Sequence, residues 1–256
     1  MDDDADLERR FGGLRRLYGV AAYERLRAAR IAVVGIGGVG SWAAEALARS
    51  GVARLVLIDL DHVAESNINR QVHAITPTLG QAKVLALKDR IALIHPGCEV
   101  LPVEEFVDED NVGQLLQADQ VDAVLDCCDQ VRAKAALAAW CQAQGKPVVT
   151  VGAAGGKRKP HLVELADLSD VTHDPLLASL RQRLRQRHGA ARKGRMGVSC
   201  VFSREPVLPP QDSCDVGAGG QGDGTLNCAG YGSSVTVTAS FGLVAAGQVI
   251  EQLLCA

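Results

Sequence analysis

The stretch from Ile31 to Ala48 constrains the fold more than any other part of this chain. Residues 31–34 form a short apolar run that is typical of a buried parallel strand, and residues 42–48 have the composition of a helix. The turn between them carries four glycines, Gly35, Gly37, Gly38 and Gly40. Such glycines let backbone N–H groups approach a phosphate closely, and the helix N-terminus adds partial positive charge. The pattern predicts a phosphate-binding turn.

A carboxylate further along the chain supports a nucleotide site. Residues 54–58 predict a second strand, which ends on Asp59. This is about twenty residues after the turn, where an acid can bind a ribose hydroxyl. A tight turn without a ligand is the alternative for the glycines alone, but strand, helix and distal acid together favour a nucleotide. An NAD-dependent oxidoreductase remains open at this point.

The residues that follow the ribose acid favour ATP. Asp61, Arg70 and Lys83 come after Asp59 in the sequence. Hydride transfer in an NAD-dependent enzyme does not require a further acid and two cations after the ribose-binding acid. Cleavage of ATP between its α- and β-phosphates does need cations, because charge develops on the transferring phosphoryl group and on the leaving pyrophosphate.

These motifs together resemble the ubiquitin-activating-type ATP-dependent adenylating enzymes. The resemblance implies an ATP site that includes Gly35, Gly37, Gly38, Gly40, Asp59, Asp61, Asn67, Asn69, Arg70, Gln71 and Lys83. In that family an arginine of the N-terminal segment reaches the ATP of the partner subunit. The resemblance therefore implies a homodimer and assigns this role to Arg16, with Arg10 as the alternative.

Two further acids follow the predicted strand Val121–Asp126, whose C-terminal end lies where open parallel sheets bind ligands. Asp126 either contacts the ligand or caps the helix that begins near Val131. Asp129 matches the magnesium-binding aspartate of the family, where a carboxylate and the ATP phosphates complete a site for a hard cation. The resemblance thus makes Arg70, Lys83, Asp129 and Arg16 the catalytic residues and Mg²⁺ the second cofactor.

The order of elements predicts an α/β fold with a doubly wound, mostly parallel sheet and right-handed crossovers. We place a Rossmann-like ATP-binding unit with an N-terminal helical segment in residues 1–156. A smaller α+β extension for substrate binding and dimerisation follows in residues 157–256, as part of one globular unit. Residues 1–8 are expected to form a frayed acidic tail, and residues 209–227 a mobile loop over the site.

The C-terminal segment 233–254 is apolar enough to raise the question of a membrane span. We favour a buried strand and helix, in which Gly242 and Gly247 permit close helix packing at a dimer interface. Peripheral attachment to the inner membrane stays open.

The extension also carries seven cations between residues 181 and 195, on a chain whose net charge is −3. They are either a solvated helix face or a local surface for an anionic partner, and we favour the second. The net charge excludes a protein whose whole surface is basic, so any surface for an anionic partner must be local.

Eight cysteines include no C-x-x-C pair. We expect free thiols in a reducing cytosol and no structural zinc. The acidic start, residues 1–4, has no features of a secretory signal, which favours a cytoplasmic protein.

A narrower resemblance covers nearly the whole chain. It is carried by segments 10–13, 17–19, 35–48, 174–176, 197–203 and 228–232. These resemble the tRNA threonylcarbamoyladenosine dehydratases, which implies ATP-dependent cyclisation of N6-threonylcarbamoyladenosine beside the anticodon through adenylation of the threonyl carboxylate. The expected tRNA-binding residues are Arg181, Arg183, Arg187, Arg192, Lys193 and Arg195.

Two other functions remain open at this stage. One is an adenylyltransferase that activates the C-terminus of a sulfur-carrier or ubiquitin-like protein, and the other is the NAD(P)-binding oxidoreductase. The dehydratase reaction needs no enzyme nucleophile, because the ureido group of the substrate can attack within the same molecule. Cys200, Cys214 and Cys228 are therefore expected to be structural, or to relay sulfur with a cysteine desulfurase system through an exposed thiol such as Cys214.

Overall fold

One sheet of seven strands forms the centre of the computed structural model, which describes residues 6–208 and 231–255. The strands are β1 (Arg30–Val34), β2 (Arg54–Ile58), β3 (Glu99–Val103), β4 (Ala123–Asp126), β5 (Val148–Val151), β6 (Val163–Asp167) and β7 (Ser199–Ser203). They lie in the order β3-β2-β1-β4-β5-β7-β6. All neighbours are parallel except β6 and β7, which pair antiparallel.

Helices cover both faces of this sheet. They are α1 (Leu7–Tyr18), α2 (Val20–Ala28), α3 (Gly40–Arg49), α4 (Lys83–Ile94), α5 (Val112–Leu116), α6 (Val131–Ala143), α7 (Pro175–Arg187) and α8 (Val235–Leu254). Side chains alternate along β1, so that Ile31 and Val33 pack with α3, α4 and α8, whereas Ala32 and Val34 pack with α5, α6 and α7. The predicted doubly wound α/β fold is confirmed.

The strand order reverses between β1 and β4, which hydrogen-bond to each other although β2 and β3 lie between them in the sequence. In open α/β sheets the crevice at such a reversal, outside the carboxyl ends of the strands, is where ligands bind. The fold therefore places its crevice where Gly35 follows β1 and Cys127 follows β4.

The sheet continues across the boundary that we drew at residue 156. Strand β5 lies before this boundary and pairs with β7, which lies after it, with Val149 opposite Ser199 and Val151 opposite Val201. The two units thus share one sheet.

The N-terminal segment is more ordered than the sequence suggests. Helix α1 begins at Leu7, so residues 7 and 8 are not part of a frayed tail, and the Asp6 carboxylate caps it by accepting from the Arg9 N–H at 2.9 Å. Gly19, with φ +83°, separates α1 from α2. A positive φ costs glycine little, which explains why the chain turns here.

Helix α8 corrects the expectation of a strand followed by a helix in segment 233–254, because Val235–Leu254 is helical throughout. Val237, Phe241 and Val249 are buried against the sheet and α3. Gly242 packs inside the chain: a Cβ here would lie 2.5 Å from the Val39 carbonyl oxygen and 3.0 Å from the Ala43 nitrogen. Its assignment to a dimer interface was therefore wrong.

The same helix is the one described helix that is long and apolar enough to cross a membrane, and 44% of its most apolar window is buried inside the protein. A core helix of a globular protein meets the same test of length and composition, and the buried face of α8 has that character. The predicted loop 209–227 lies outside the described residues.

Candidate functional site

A cavity of about 360 Å³ lies at the carboxyl ends of β1, β2 and β4. The predicted residues that line it are Gly35, Gly37, Gly38, Asp59, Asp61, Asn67, Arg70, Gln71, Lys83 and Asp129. Residues more than ninety positions apart in the sequence therefore meet in one crevice. Gly40, Asn69, Asp126 and Arg16 do not line it.

The glycine turn is shaped by close approaches of backbone to backbone. Gly35 has φ +85°, and a Cβ there would lie 2.7 Å from the Cys128 nitrogen. A Cβ on Gly40 would collide with the Gly35 carbonyl oxygen. Gly40 thus lets α3 begin directly behind the turn, with the helix N-terminus toward the cavity, although it does not line the cavity itself.

Asp59 is held at the cavity by two backbone groups. Its Oδ2 accepts from the Ile36 N–H at 2.6 Å, and its Oδ1 accepts from the Asp61 N–H at 2.9 Å. Burial raises the pKa of this carboxyl, and the Lys83 charge opposes that shift. A fixed acceptor at the end of β2 suits the hydroxyls of a ribose.

Lys83 places a buried cation beside these acids. It is the first residue of α4 and is 6% exposed. Its Nζ lies 2.6 Å from Asp61 Oδ2 and 3.9 Å from Asp59 Oδ1. A buried charge needs such partners, and a polyphosphate that enters the cavity can take the place of a carboxylate.

Hydrogen bonds hold both the side chain and the backbone of Arg70. Its guanidinium donates to the Ser66 carbonyl at 2.7 Å and to Asn69 Oδ1 at 3.0 Å, and burial lowers its pKa. Its own carbonyl oxygen accepts from Trp42 Nε1 at 2.9 Å and from Thr238 Oγ1 at 3.4 Å. We name these two donors the Arg70 clamp.

Neither member of the clamp was found by sequence reasoning. Trp42 stands in the predicted helix next to the glycine turn, so its indole is a signal that could have been used. Thr238 lies 168 positions from Arg70 and only the fold brings them together. Asn69 also ties this loop to the start of α8, because its Nδ2 donates to the Ser233 carbonyl at 2.9 Å.

Asp126 requires a correction, because neither of its predicted roles is found. The side chain is fully buried, with Oδ2 3.0 Å from Lys134 Nζ and also hydrogen-bonded to the Thr150 hydroxyl. Its Oδ1 accepts from Cys128 Sγ at 2.9 Å. The carboxylate is committed to a buried ion pair, and Gln130, not Asp126, is the N-cap residue of α6.

Asp129 faces the cavity from the loop between β4 and α6, and burial raises the pKa of its carboxyl. The described residues contain no group of three or more metal-ligating side chains. Mg²⁺ in nucleotide sites is commonly held by one or two carboxylates together with substrate phosphates, so Asp129, with Asp61 on the same cavity, fits it without a protein cage.

Cys127 and Cys128 also line the cavity, but their chemistry is not that of nucleophiles. Burial raises the pKa of both thiols well above the ordinary value. The thiol form is a poor nucleophile. Cys98, Cys141, Cys200 and Cys255 are free as well, whereas residues 214 and 228 lie outside the described part of the chain.

The N-terminal arginines lie away from the cavity. Arg16 is exposed on α1, and Arg10 donates to the Ile94 carbonyl at the end of α4 at 2.7 Å.

The seven cations of segment 181–195 fall into two groups. Arg181 donates to the carbonyls of Leu168 and Val171 at 3.0 and 2.8 Å, and Arg183 pairs with Glu109 at 2.8 Å. These contacts hold α7 in place, so the patch of available cations is smaller than the sequence suggests. Arg185 also belongs to this first group, because its Nε donates to the Ala191 carbonyl at 3.1 Å. The exposed group is Arg187, Arg192, Lys193 and Arg195, of which Arg195 lies 3.9 Å from Asp167.

Comparisons with known proteins agree with this geometry. The tRNA threonylcarbamoyladenosine dehydratase of Escherichia coli (strain K12) is 44% identical over 251 residues, 96% of this chain and 93% of that protein. The tRNA threonylcarbamoyladenosine dehydratase of Haemophilus influenzae is 42% identical, over 96% of this chain and 94% of that protein. A crystal structure of the E. coli enzyme in complex with ATP matches with a TM-score of 0.87 and 41% identity, over 100% of this chain and 98% of that one. The model of the ThiF family matches residues 12–255, and the chain belongs to that family.

Proposed function

We propose that this protein catalyses the ATP-dependent cyclisation of N6-threonylcarbamoyladenosine in tRNA, next to the anticodon. The observation that carries the proposal is one cavity that unites Asp59, Arg70, Lys83 and Asp129 in a chain that matches dehydratases along nearly their whole length.

The reaction has two steps. An oxygen of the threonyl carboxylate attacks the α-phosphorus of ATP, and the bond to pyrophosphate breaks, which leaves an acyl-adenylate. The ureido group of the same nucleoside then attacks the acyl carbon, loses a proton and expels AMP. Proximity gives this second step a high effective concentration, so no thioester to the enzyme is needed.

Each side chain of the cavity acts on a different part of the nucleotide. Asp59 binds the ribose, while Arg70 and Lys83 stabilise charge on the phosphoryl group and on the leaving pyrophosphate. Asp129 would hold Mg²⁺, which when bound neutralises phosphate charge. Lys83 exchanges Asp61 for a phosphate oxygen, so its charge stays paired throughout.

Four further features extend the proposal. A homodimer would let the exposed Arg16 reach the ATP of the partner subunit. The exposed cations of α7 and the segment after it would bind the tRNA backbone, and an enzyme of tRNA would work in the cytoplasm. Cys214 would be the thiol that receives sulfur if a cysteine desulfurase acts on this protein.

Mass spectrometry of tRNA nucleosides tests the function directly. Modified tRNA incubated with the protein, ATP and Mg²⁺ should contain a nucleoside that is one water lighter, and omission of ATP should abolish it. Release of pyrophosphate on addition of a carrier protein, but not of modified tRNA, would support the carrier adenylyltransferase instead. Binding of a nicotinamide nucleotide in preference to ATP would point to the oxidoreductase.

A further inference from the structure

A second cavity of about 300 Å³ lies beside the first and has no part in the chemistry described so far. The first two turns of α7 and the loop before them form one side, and Pro206 and Val207 form the other. We name it the α7 cavity. Its volume is at the lower end of the range for small-ligand sites, which fits a single flat ring system.

The first turn of α7 contributes to the lining of both cavities, with Pro175 on the α7 cavity and Leu176 on the ATP cavity. Asp174 lines the α7 cavity, while its Oδ2 accepts from the N–H of Ala153, a residue that lines the ATP cavity, at 2.9 Å. Its Oδ1 accepts from the Leu177 N–H at 3.0 Å, and Leu176 lines the ATP cavity. A group in the α7 cavity is thus a near neighbour of a substrate in the active site.

The walls favour a neutral, planar ligand. Arg181 is fixed by its two carbonyl partners, so its guanidinium offers a preorganised surface instead of a mobile charge. His173 stands at the rim with φ +59°, a left-handed conformation that few residues other than glycine adopt. The buried carboxylate of Asp174 disfavours a phosphate, whereas imidazole, guanidinium and proline surfaces suit an unstacked base.

We propose that the α7 cavity binds the nucleobase adjacent to the target adenosine in the anticodon loop. This inference rests on the proposed function. Loop bases are single-stranded, and proteins recognise such bases by splaying them onto His, Arg and aromatic surfaces. Binding of this adjacent nucleobase would hold the target nucleotide in the ATP cavity. It would also explain why the Arg181 guanidinium is fixed instead of free to contact phosphates.

The test uses two variants in the full-length protein. His173→Gly removes the ring at a backbone conformation that glycine adopts readily, and Ala178→Leu fills the cavity from an exposed helix position. Each should weaken binding of an anticodon stem-loop RNA that carries N6-threonylcarbamoyladenosine by about five- to a hundredfold, as loss of one stacked base does. Affinity for ATP should not change. Ser179→Leu, at the next exposed position of α7 but outside the cavity, is the matched control and should bind RNA like the wild type.

Abasic RNAs identify the ligand. Replacement of the base on one side of the target by an abasic nucleotide should weaken binding to wild-type protein to the level of Ala178→Leu, and should have no effect on that variant. The inference is overturned if both variants bind the intact RNA like the wild type. It is also overturned if, relative to the wild type, the variants bind the intact RNA and the abasic RNA more weakly by the same factor. Failure of wild-type protein to cyclise the intact RNA would instead contradict the proposed function.

Discussion

Lys83 carries a buried charge that is already paired in the free protein. Its ammonium is nearly inaccessible to water, and two carboxylates compensate for the lost hydration. In the proposed function, the polyphosphate of ATP supplies the same compensation when it enters the cavity. The cation is therefore already oriented before the reaction, which is the condition under which a charge-stabilising donor contributes most to catalysis.

We predict that Lys83→Ala lowers the rate of cyclisation by about a hundredfold or more, because one preorganised donor to the developing phosphate charge is lost. ATP–pyrophosphate exchange in the presence of modified tRNA measures this. Lys88→Ala, at an exposed position of the same helix, is the control and should exchange at the wild-type rate. Near-normal exchange by Lys83→Ala would contradict the assignment.

Helix α8 connects the C-terminal part of the chain to the side of the cavity that Arg70 lines. Gly242 brings it against α3, and Thr238 reaches the Arg70 carbonyl and fills the space in front of Gly38, where a Cβ would lie 3.1 Å from the Thr238 methyl carbon. The position of the Arg70 backbone thus depends on two helices, α3 through Trp42 and α8 through Thr238.

Loss of the Arg70 clamp should affect catalysis more than stability. We expect Trp42→Phe combined with Thr238→Val to lower kcat of ATP–pyrophosphate exchange about tenfold, because the Arg70 carbonyl loses both donors. Restoration of the hydroxyl, with Trp42→Phe and Thr238→Ser, should recover part of that rate. If the double variants with Thr238→Val and with Thr238→Ser have equal rates, the hydroxyl of residue 238 has no role in positioning Arg70.

The same elements show what a sequence can reveal and what it cannot. The glycine turn and Asp59 could be predicted because local backbone needs dictate them. Asp126 could not, since its partner Lys134 lies in the next helix and only packing decides which face is buried. In segment 233–254 a strand was expected before the helix. Val235–Thr238 are all β-branched and favour a strand locally, but contact with α3 outweighs that preference and the segment is helical from Val235.

The whole molecule carries a small negative charge, so contact with RNA must depend on where its cations are exposed. Arg187, Arg192, Lys193 and Arg195 form the exposed group at the end of α7 and in the segment after it. Charge counting along the sequence could not separate these from Arg181 and Arg183, because the distinction depends on which guanidinium groups the fold itself uses.

If those four cations neutralise phosphates, log affinity for tRNA should fall with log salt concentration at a slope of about −3. Substitution of Arg187, Arg192 and Lys193 by Glu should weaken binding and flatten the slope, while ATP binding is kept. Lys88→Glu, at an exposed position of α4, is the charge-matched control for Arg187→Glu alone and should leave tRNA affinity unchanged. An unchanged slope in the triple variant would place the tRNA surface elsewhere.

Stability should fall in acid through two buried histidines. The pKa of His73 is lowered to about 4 by burial and then by the charges of Lys83 and Arg90, and the pKa of His95 is lowered to about 4 by burial and then by Arg27. Both are neutral when folded, whereas the unfolded chain binds their protons below its ordinary pKa of 6.5. Between pH 6.5 and 4 the free energy of unfolding should therefore decrease, by up to about 1.4 kcal/mol per pH unit for each.

Urea denaturation at several pH values measures this decrease. His73→Phe should remove the contribution of one histidine and make the dependence shallower below pH 6.5. The same slope in wild type and variant would mean that His73 is not held neutral by the fold.

The pairing of β5 with β7 has a consequence for how the chain can be divided. A fragment that ends at residue 156 would retain every strand up to β5 but would leave that strand with an unpaired row of N–H and C=O groups, and without the α8 side chains that cover the sheet. Exposed edges of this kind pair with other copies. Such a fragment should form aggregates in light scattering, so the nucleotide-binding half depends on its C-terminal neighbour to stay soluble.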